Sequence, residues 1–167
     1  MRPGPISVFL AGDHVRLDAL LARATGSAAG LDAPSFEEFR AGILRHIGME
    51  EMVLLKEARR ANGGEPLPVA GRLRIDHGAI AMLLVPTPNR EIASEIRSIL
   101  ARHNVLEEGS GGLYETCDRL LVGEAEVVLE RLRSFPRVKL APHYDGPGAL
   151  RTAKEALEVS GRQRRTG

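Results

Sequence analysis

The run FEEFRAGILRHIGMEEMVLLKEARR, residues 36–60, repeats apolar side chains at helical spacing with no proline to interrupt it. A chain with so long an amphipathic stretch must build much of itself from long helices. The apolar stripe (Phe36, Phe39, Ile43, Ile47, Val53, Leu54) also contains His46 and Glu50, one helical turn apart. Side chains at i and i+4 share a face, so both polar groups point where a core should be.

Three other segments carry the same periodicity, and together they predict four helices: about Ile6–Ala24, Ser35–Ala61, Pro68–Val85 and Asn89–Glu108. Ser35 is the expected N-cap of the second, with Glu38 at capping-box spacing. Pro86 stops the third and Gly109 begins the exit from the fourth. The connections TGSAAGLDAP, NGGEP and PTPN are short and rich in turn formers, so neighbouring helices should run antiparallel. Aromatic residues make up 4% of the chain and tryptophan is absent, which disfavours a β-rich core. The expected fold is all-α: an up-down-up-down four-helix bundle over residues 1–122, with residues 123–167 as a C-terminal helical extension packed on it. Within the extension, residues 123–135 and about Ala149–Val159 read as helices, and RQRRTG as a solvated, frayed basic end.

Charge excludes several roles. Lys and Arg number 23 against 22 Asp and Glu, so no nucleic-acid or membrane partner is expected. No apolar stretch approaches the roughly 18 residues of a membrane span, and MRPGPISVFL lacks a signal-peptide layout. A lone cysteine, Cys117, cannot form an internal disulfide, which suits a cytoplasmic protein.

The histidines give the strongest functional signal. His14, His46, His77 and His103 fall one on each expected helix, while His143 lies in a proline-rich loop. In antiparallel helices two residues share a level when the turn lies halfway between them. The midpoints of His14/His46, Glu50/His77 and His77/His103 fall at about residues 30, 63 and 90, all within or next to the connections. HNVLEE then repeats HIGMEE, placing His103 and Glu107 as His46 and Glu50 are placed. The layout is His, His-x-x-x-Glu, His, His-x-x-x-Glu: a duplicated helical hairpin carrying one site. Four imidazoles and two carboxylates at one apolar level are costly unless something pairs them. A pair of cations does so, each glutamate bridging both; mixed imidazole and carboxylate donors suit iron or manganese, and also zinc.

DHVRLDALL around His14, HIGMEE, RIDHGAI around His77 and HNVLEE together resemble the hemerythrin-like HHE cation-binding domain, over about residues 5–122. The resemblance implies a non-haem di-iron centre with His14, His46, His77 and His103 as terminal ligands and Glu50 and Glu107 as bridges. It also implies a small diatomic or peroxide as the ligand that is bound or sensed. An alternative is a di-iron enzyme acting on peroxide or nitric oxide, or a protein that repairs iron centres. Two departures separate this chain from the oxygen carriers of that family. The additional histidine they carry one turn before the position of His77 is Leu73 here, and where their last motif ends in aspartate five residues after the histidine, Glu107 comes here at four with Glu108 at the next position. An open site next to Leu73, Ile80, Ile99 and Leu106 is the expectation.

The residues flanking the motifs are expected to matter less. Glu51 and Glu108 read as solvated charges, with a supporting role as the other possibility, and Asp13 and Asp76 are placed outside the ligand set. GSGGLYETCDRLL should stop the fourth helix and start a short one packed by Leu113, Leu120 and Leu121, in preference to folding Tyr114 or Cys117 back onto the site. A plain helical interaction module with incidental histidines completes the alternatives.

Overall fold

The computed structural model describes residues 2–166. Their regular structure is entirely helical: α1 (Pro5–Thr25), α2 (Ala33–Met49), a π-helical segment (Glu50–Leu54), α3 (Leu55–Ala61), α4 (Ala70–Leu83), α5 (Arg90–Glu108), α6 (Leu113–Leu120), α7 (Ala125–Arg133) and α8 (Ala153–Thr166). None of the helices of the described residues is long and apolar enough to cross a membrane.

Local chemistry explains most of the boundaries. α1 opens on Pro5, whose fixed φ suits a first helical turn. Its free N–H groups are taken by Asp118 of α6, which accepts from Ile6 N at 2.9 Å and Ser7 N at 3.2 Å. α5 is capped by Asn89, whose side chain accepts from Ile92 N at 2.8 Å. At the start of α2 the expected cap is corrected. The helix begins at Ala33 with Asp32 as N-cap, because Pro34 already holds the first turn. Ser35 lies inside that turn, donating to Asp32 and accepting from Arg23 Nε at 2.9 Å. Glu38 closes no capping box; it pairs with Arg23 at 3.2 Å.

A second departure is the π-helical segment within the expected Ser35–Ala61 helix. Leu55 N–H bonds Glu50 O, five residues back, so this turn carries one residue more than an α-turn. The sequence has a physical reason: Val53, Leu54 and Leu55 are consecutive and all buried. Three successive residues of a regular helix fan through about 200°, and the smaller rotation per residue of the π-turn draws them towards one side.

The core is in two parts. One contains Ile6, Leu10, Met49, Leu54, Leu73 and Leu113 with their neighbours; the other contains Leu17, Leu21, Phe39, Ile43, Ile80 and Ile99 with theirs. α1 and α4 lead from the first core to the second, whereas α2 and α5 lead from the second to the first. At each crossing stands a histidine: His14 between Leu10 and Leu17, His46 between Ile43 and Met49, His77 between Leu73 and Ile80, His103 between Ile99 and Leu106.

The C-terminal residues brace this arrangement. α7 packs on α1 and the π-helical segment, and Arg45 of α2 donates to Phe135 O and Arg133 O, each at 2.9 Å. Arg40 donates to Ala141 O at 2.9 Å, and His143 reaches Glu37 Oε1 at 2.6 Å, so His143 fastens a loop to α2. α8 lies along α4, where Ser160 donates to Ile75 O at 2.8 Å. The approach is close enough that a β-carbon at Gly78 would come within 2.3 Å of Ser160 Oγ. The expected Ala149–Val159 helix is thereby corrected: α8 starts at Ala153, after the Pro147–Gly148 turn, and runs to Thr166. Residues 162–166 are helical rather than frayed, because Arg164 and Arg165 complement the negative end of the helix dipole.

Candidate metal centre

Between the two cores, His14, His46, Glu50 and Glu107 form one group and Glu50, His77, His103 and Glu107 form another, the donor atoms of each lying within 4.8 Å of one another. All six residues predicted from the sequence are therefore brought together, and all are buried. The groups share both glutamates through different oxygens. Glu50 turns Oε1 towards His46 Nε2 (3.4 Å) and Oε2 towards His77 Nε2 (3.1 Å). Glu107 turns Oε2 towards His14 Nε2 (3.4 Å) and Oε1 towards His103 Nε2 (2.9 Å). The rings pair accordingly, His14 with His46 at 4.5 Å between centroids and His77 with His103 at 4.8 Å.

Each imidazole presents Nε2 to the centre and donates from Nδ1 to a carboxylate on another helix. His46 donates to Asp13 (2.8 Å), His77 to Glu51 (2.8 Å), His103 to Asp76 (3.4 Å) and His14 to Glu108 (2.5 Å). Every one of these acids stands next in sequence to a donor of the centre. The four bonds form a closed ring, from α1 to the second helical run, to α4, to α5, and back to α1. Such carboxylates fix the tautomer that leaves Nε2 free and raise its basicity. The expectation of solvated charge is thus corrected at Glu51; Glu108 is exposed as expected and in addition takes the supporting role, accepting from His14. The available signal was the longer repeat, Asp-His followed by His-x-x-x-Glu-Glu, which occurs twice in order: Asp13-His14 with His46 to Glu51, and Asp76-His77 with His103 to Glu108.

Tyr114 is the larger surprise. The short helix packed by Leu113 and Leu121 exists, but it also carries Tyr114 into the centre, where the residue is 1% exposed. Its hydroxyl donates to Glu50 Oε1 at 2.7 Å and lies 3.1 Å from His14 Nε2, 3.2 Å from His46 Nε2 and 3.3 Å from Glu107 Oε2. The glycines after Glu108 make the reversal possible. Gly111 takes φ +72°, and a β-carbon at Gly112 would fall within 2.8 Å of the carbonyl oxygens of Leu106, Glu107 and Gly109. Cys117, on the same helix, is buried in the first core, and burial pushes its thiol up to about 12.

The charges compensate one another. Burial opposes a charged His46, yet Glu50 and Asp13 outweigh it and hold the imidazole up at about 10; burial likewise opposes a charged His103, which Asp76 and Glu107 hold at about 9. His77 is raised well above its ordinary value against the same cost, by Glu107, Glu50 and Glu51. Burial would raise the Glu50 carboxyl, but His46 and His77 hold it well below the usual range. Asp13 is drawn down to about 2 in spite of burial, by His46 and Arg16. Burial and the neighbouring carboxylates push the Tyr114 hydroxyl well above 10.

This compensation is incomplete in one place. Glu50 Oε2, His77 Nε2 and Glu107 Oε1 are buried with no hydrogen-bond partner, the Glu50–His77 pair at 3.1 Å and the Glu107–His103 pair at 2.9 Å lacking the alignment a hydrogen bond needs. Unpartnered polar atoms in a dry interior are expensive, and three converging on one point suit a cation. The apolar pocket expected beside the site is corrected as well: Leu73 and Leu106 belong to the first core, Ile80 and Ile99 to the second. A cavity of about 160 Å³ instead adjoins His14, with Leu17, Phe39, Ile43, Leu100 and Asn104 in its wall. A wider groove of about 1020 Å³ between the start of α1 and α6 has Tyr114 and Glu108 in its wall.

No family profile, curated protein or solved structure matches this chain.

Proposed function

We propose that the protein is a hemerythrin-like di-iron protein that binds or senses oxygen or a related small oxidant. One observation carries this reading: two buried donor groups share Glu50 and Glu107 through opposite oxygens, so each glutamate is oriented to bridge two cations. His14 and His46 would hold one cation and His77 and His103 the other. Imidazole and carboxylate donors without thiolate favour iron, with manganese or zinc as substitutes. The alternating direction in which α1, α2, α4 and α5 pass between the two cores supports an up-down-up-down four-helix bundle as the frame.

When bound, a di-iron pair supplies reversible electron exchange with a small oxidant. The chain's own part is to hold and to shield. Asp13, Glu51, Asp76 and Glu108 orient the imidazoles, the two cores exclude water above and below, and the cavity beside His14 gives a small molecule room. The test is anaerobic ferrous loading followed by metal analysis and absorption spectra before and after air. About two irons per chain with new absorption on oxidation is the expected result; no stoichiometric iron, or a single colourless zinc, sinks the reading. Multiple turnover of peroxide or nitric oxide by the loaded protein would make it an enzyme instead.

A further inference from the structure

We infer that Tyr114 is itself a metal ligand, a phenolate bound to the cation of the His14/His46 half and to no other, which makes the two cation positions chemically unequal. The inference rests on the two-cation reading above.

Five donor atoms surround one point in that half: His14 Nε2, His46 Nε2, Glu50 Oε1, Glu107 Oε2 and the Tyr114 hydroxyl. The hydroxyl is 2.7–3.3 Å from the other four, and the His14–Glu107 and His46–Glu50 separations are both 3.4 Å. Ligands each about 2.1 Å from one cation stand about 3 Å from their neighbours, so the hydroxyl is already at coordinating distance from the other donors. Tyr114 is 1% exposed, and the helix bearing it is fixed on both sides, by Leu113 and Cys117 in the first core and by the glycine reversal behind it. A cation entering between His14 and His46 therefore meets the phenol oxygen. Coordination replaces the O–H proton by the cation and releases that proton to solvent, with no change of oxidation state.

The other half has four donors, His77, His103, Glu50 Oε2 and Glu107 Oε1. Leu73, one turn before His77, offers none, and this half contains the three unpartnered atoms. It keeps the larger number of free positions once loaded.

The chain has two tyrosines, and Tyr144 is half exposed in the C-terminal loop, so the assignment can be tested by one substitution. Wild type and Tyr114→Phe are loaded with iron, oxidised, and compared by metal analysis, visible absorption and resonance Raman scattering. The expected result is a visible phenolate-to-ferric charge-transfer band in the wild type, with tyrosine ring modes in resonance. In Tyr114→Phe the band is lost while about two irons remain, one of them now removed more readily by a chelator. Two irons in the wild type without the band, or a band that survives in Tyr114→Phe, overturns the inference and leaves the two-cation reading standing. A wild type that takes up no iron overturns both.

Discussion

The two halves of the centre begin from the same letters and end in different surroundings. Each has two imidazoles, the same two glutamates and a carboxylate behind each ring, because Asp-His and His-x-x-x-Glu-Glu occur twice. The segments downstream of the two Glu-Glu pairs differ. After Glu51 the chain continues as MVLL, takes the wide π-turn and stays helical through α3; after Glu108 it continues as GSGG, reverses and delivers Tyr114. The hydroxyl enters only the His14/His46 half, and the unpartnered atoms gather in the other. Repetition thus copied the donors, while the segments after them made the halves unlike.

The largest effect should come from the residue that the halves share. Glu50→Ala removes a buried carboxylate facing His46 and His77, and both cations should be lost together. Leaving the charged imidazoles of His46 and His77 without this partner should also destabilise the metal-free protein by about 3–5 kcal/mol, read from urea midpoints. Loss of a single cation would mean that Glu50 serves one half alone.

Smaller changes should act on one half at a time. Asp13→Asn should weaken the cation at His46 by roughly 10–100-fold, and Asp76→Asn the one at His103 by a similar factor. Competition with a chelator, resolved into two equivalents, separates these outcomes; equal weakening of both equivalents in either variant would erase the distinction between the halves.

Protons offer a further probe. His46 and His103 are held at about 10 and about 9 in the folded protein, above the ordinary 6.5. Their charged forms favour folding, a contribution fully present below about pH 6.5 and lost as pH rises through about 9 to 10. The metal-free protein should therefore show a thermal midpoint that falls between about pH 7 and 10. Cation affinity should run the other way, rising with pH as imidazole protons cease to compete. Scans with and without metal check both slopes, and a metal-free midpoint that climbs over this range contradicts the charged pairing.

Glu108→Gln should give the smallest change, less than tenfold in cation affinity. Its side chain is 40% exposed, so water can take over the bond to His14.

How much of this was legible depended on how local the cause is. The helical period, the turn formers and the midpoint rule brought His14, His46, His77 and His103 to one level because each needs only chain geometry. Asp13, Glu51, Asp76 and Glu108 were harder, since which ring they reach is set by how neighbouring helices are rotated against each other. Tyr114 was harder still. Its place depends on a reversal whose path is set by carbonyl contacts at Gly112, and periodicity does not report such contacts. The π-turn had a visible trace in Val53-Leu54-Leu55, three adjoining buried apolar residues that would fan around more than half of a regular helix.

The ring of carboxylate–imidazole bonds has a division of labour between its two kinds of acid. The aspartate bonds, Asp13 to His46 and Asp76 to His103, each close within one helix pair, α1 with α2 or α4 with α5. The glutamate bonds, Glu51 to His77 and Glu108 to His14, each join one pair to the other. A backbone nick between residues 62 and 69 would leave both aspartate latches inside their own fragments. Rejoining the pieces would still require the glutamate latches, Tyr114 on Glu50, Asp118 on the start of α1 and the braces from Arg40 and Arg45, so the nick spares the local latches and falls wholly on the long-range ones.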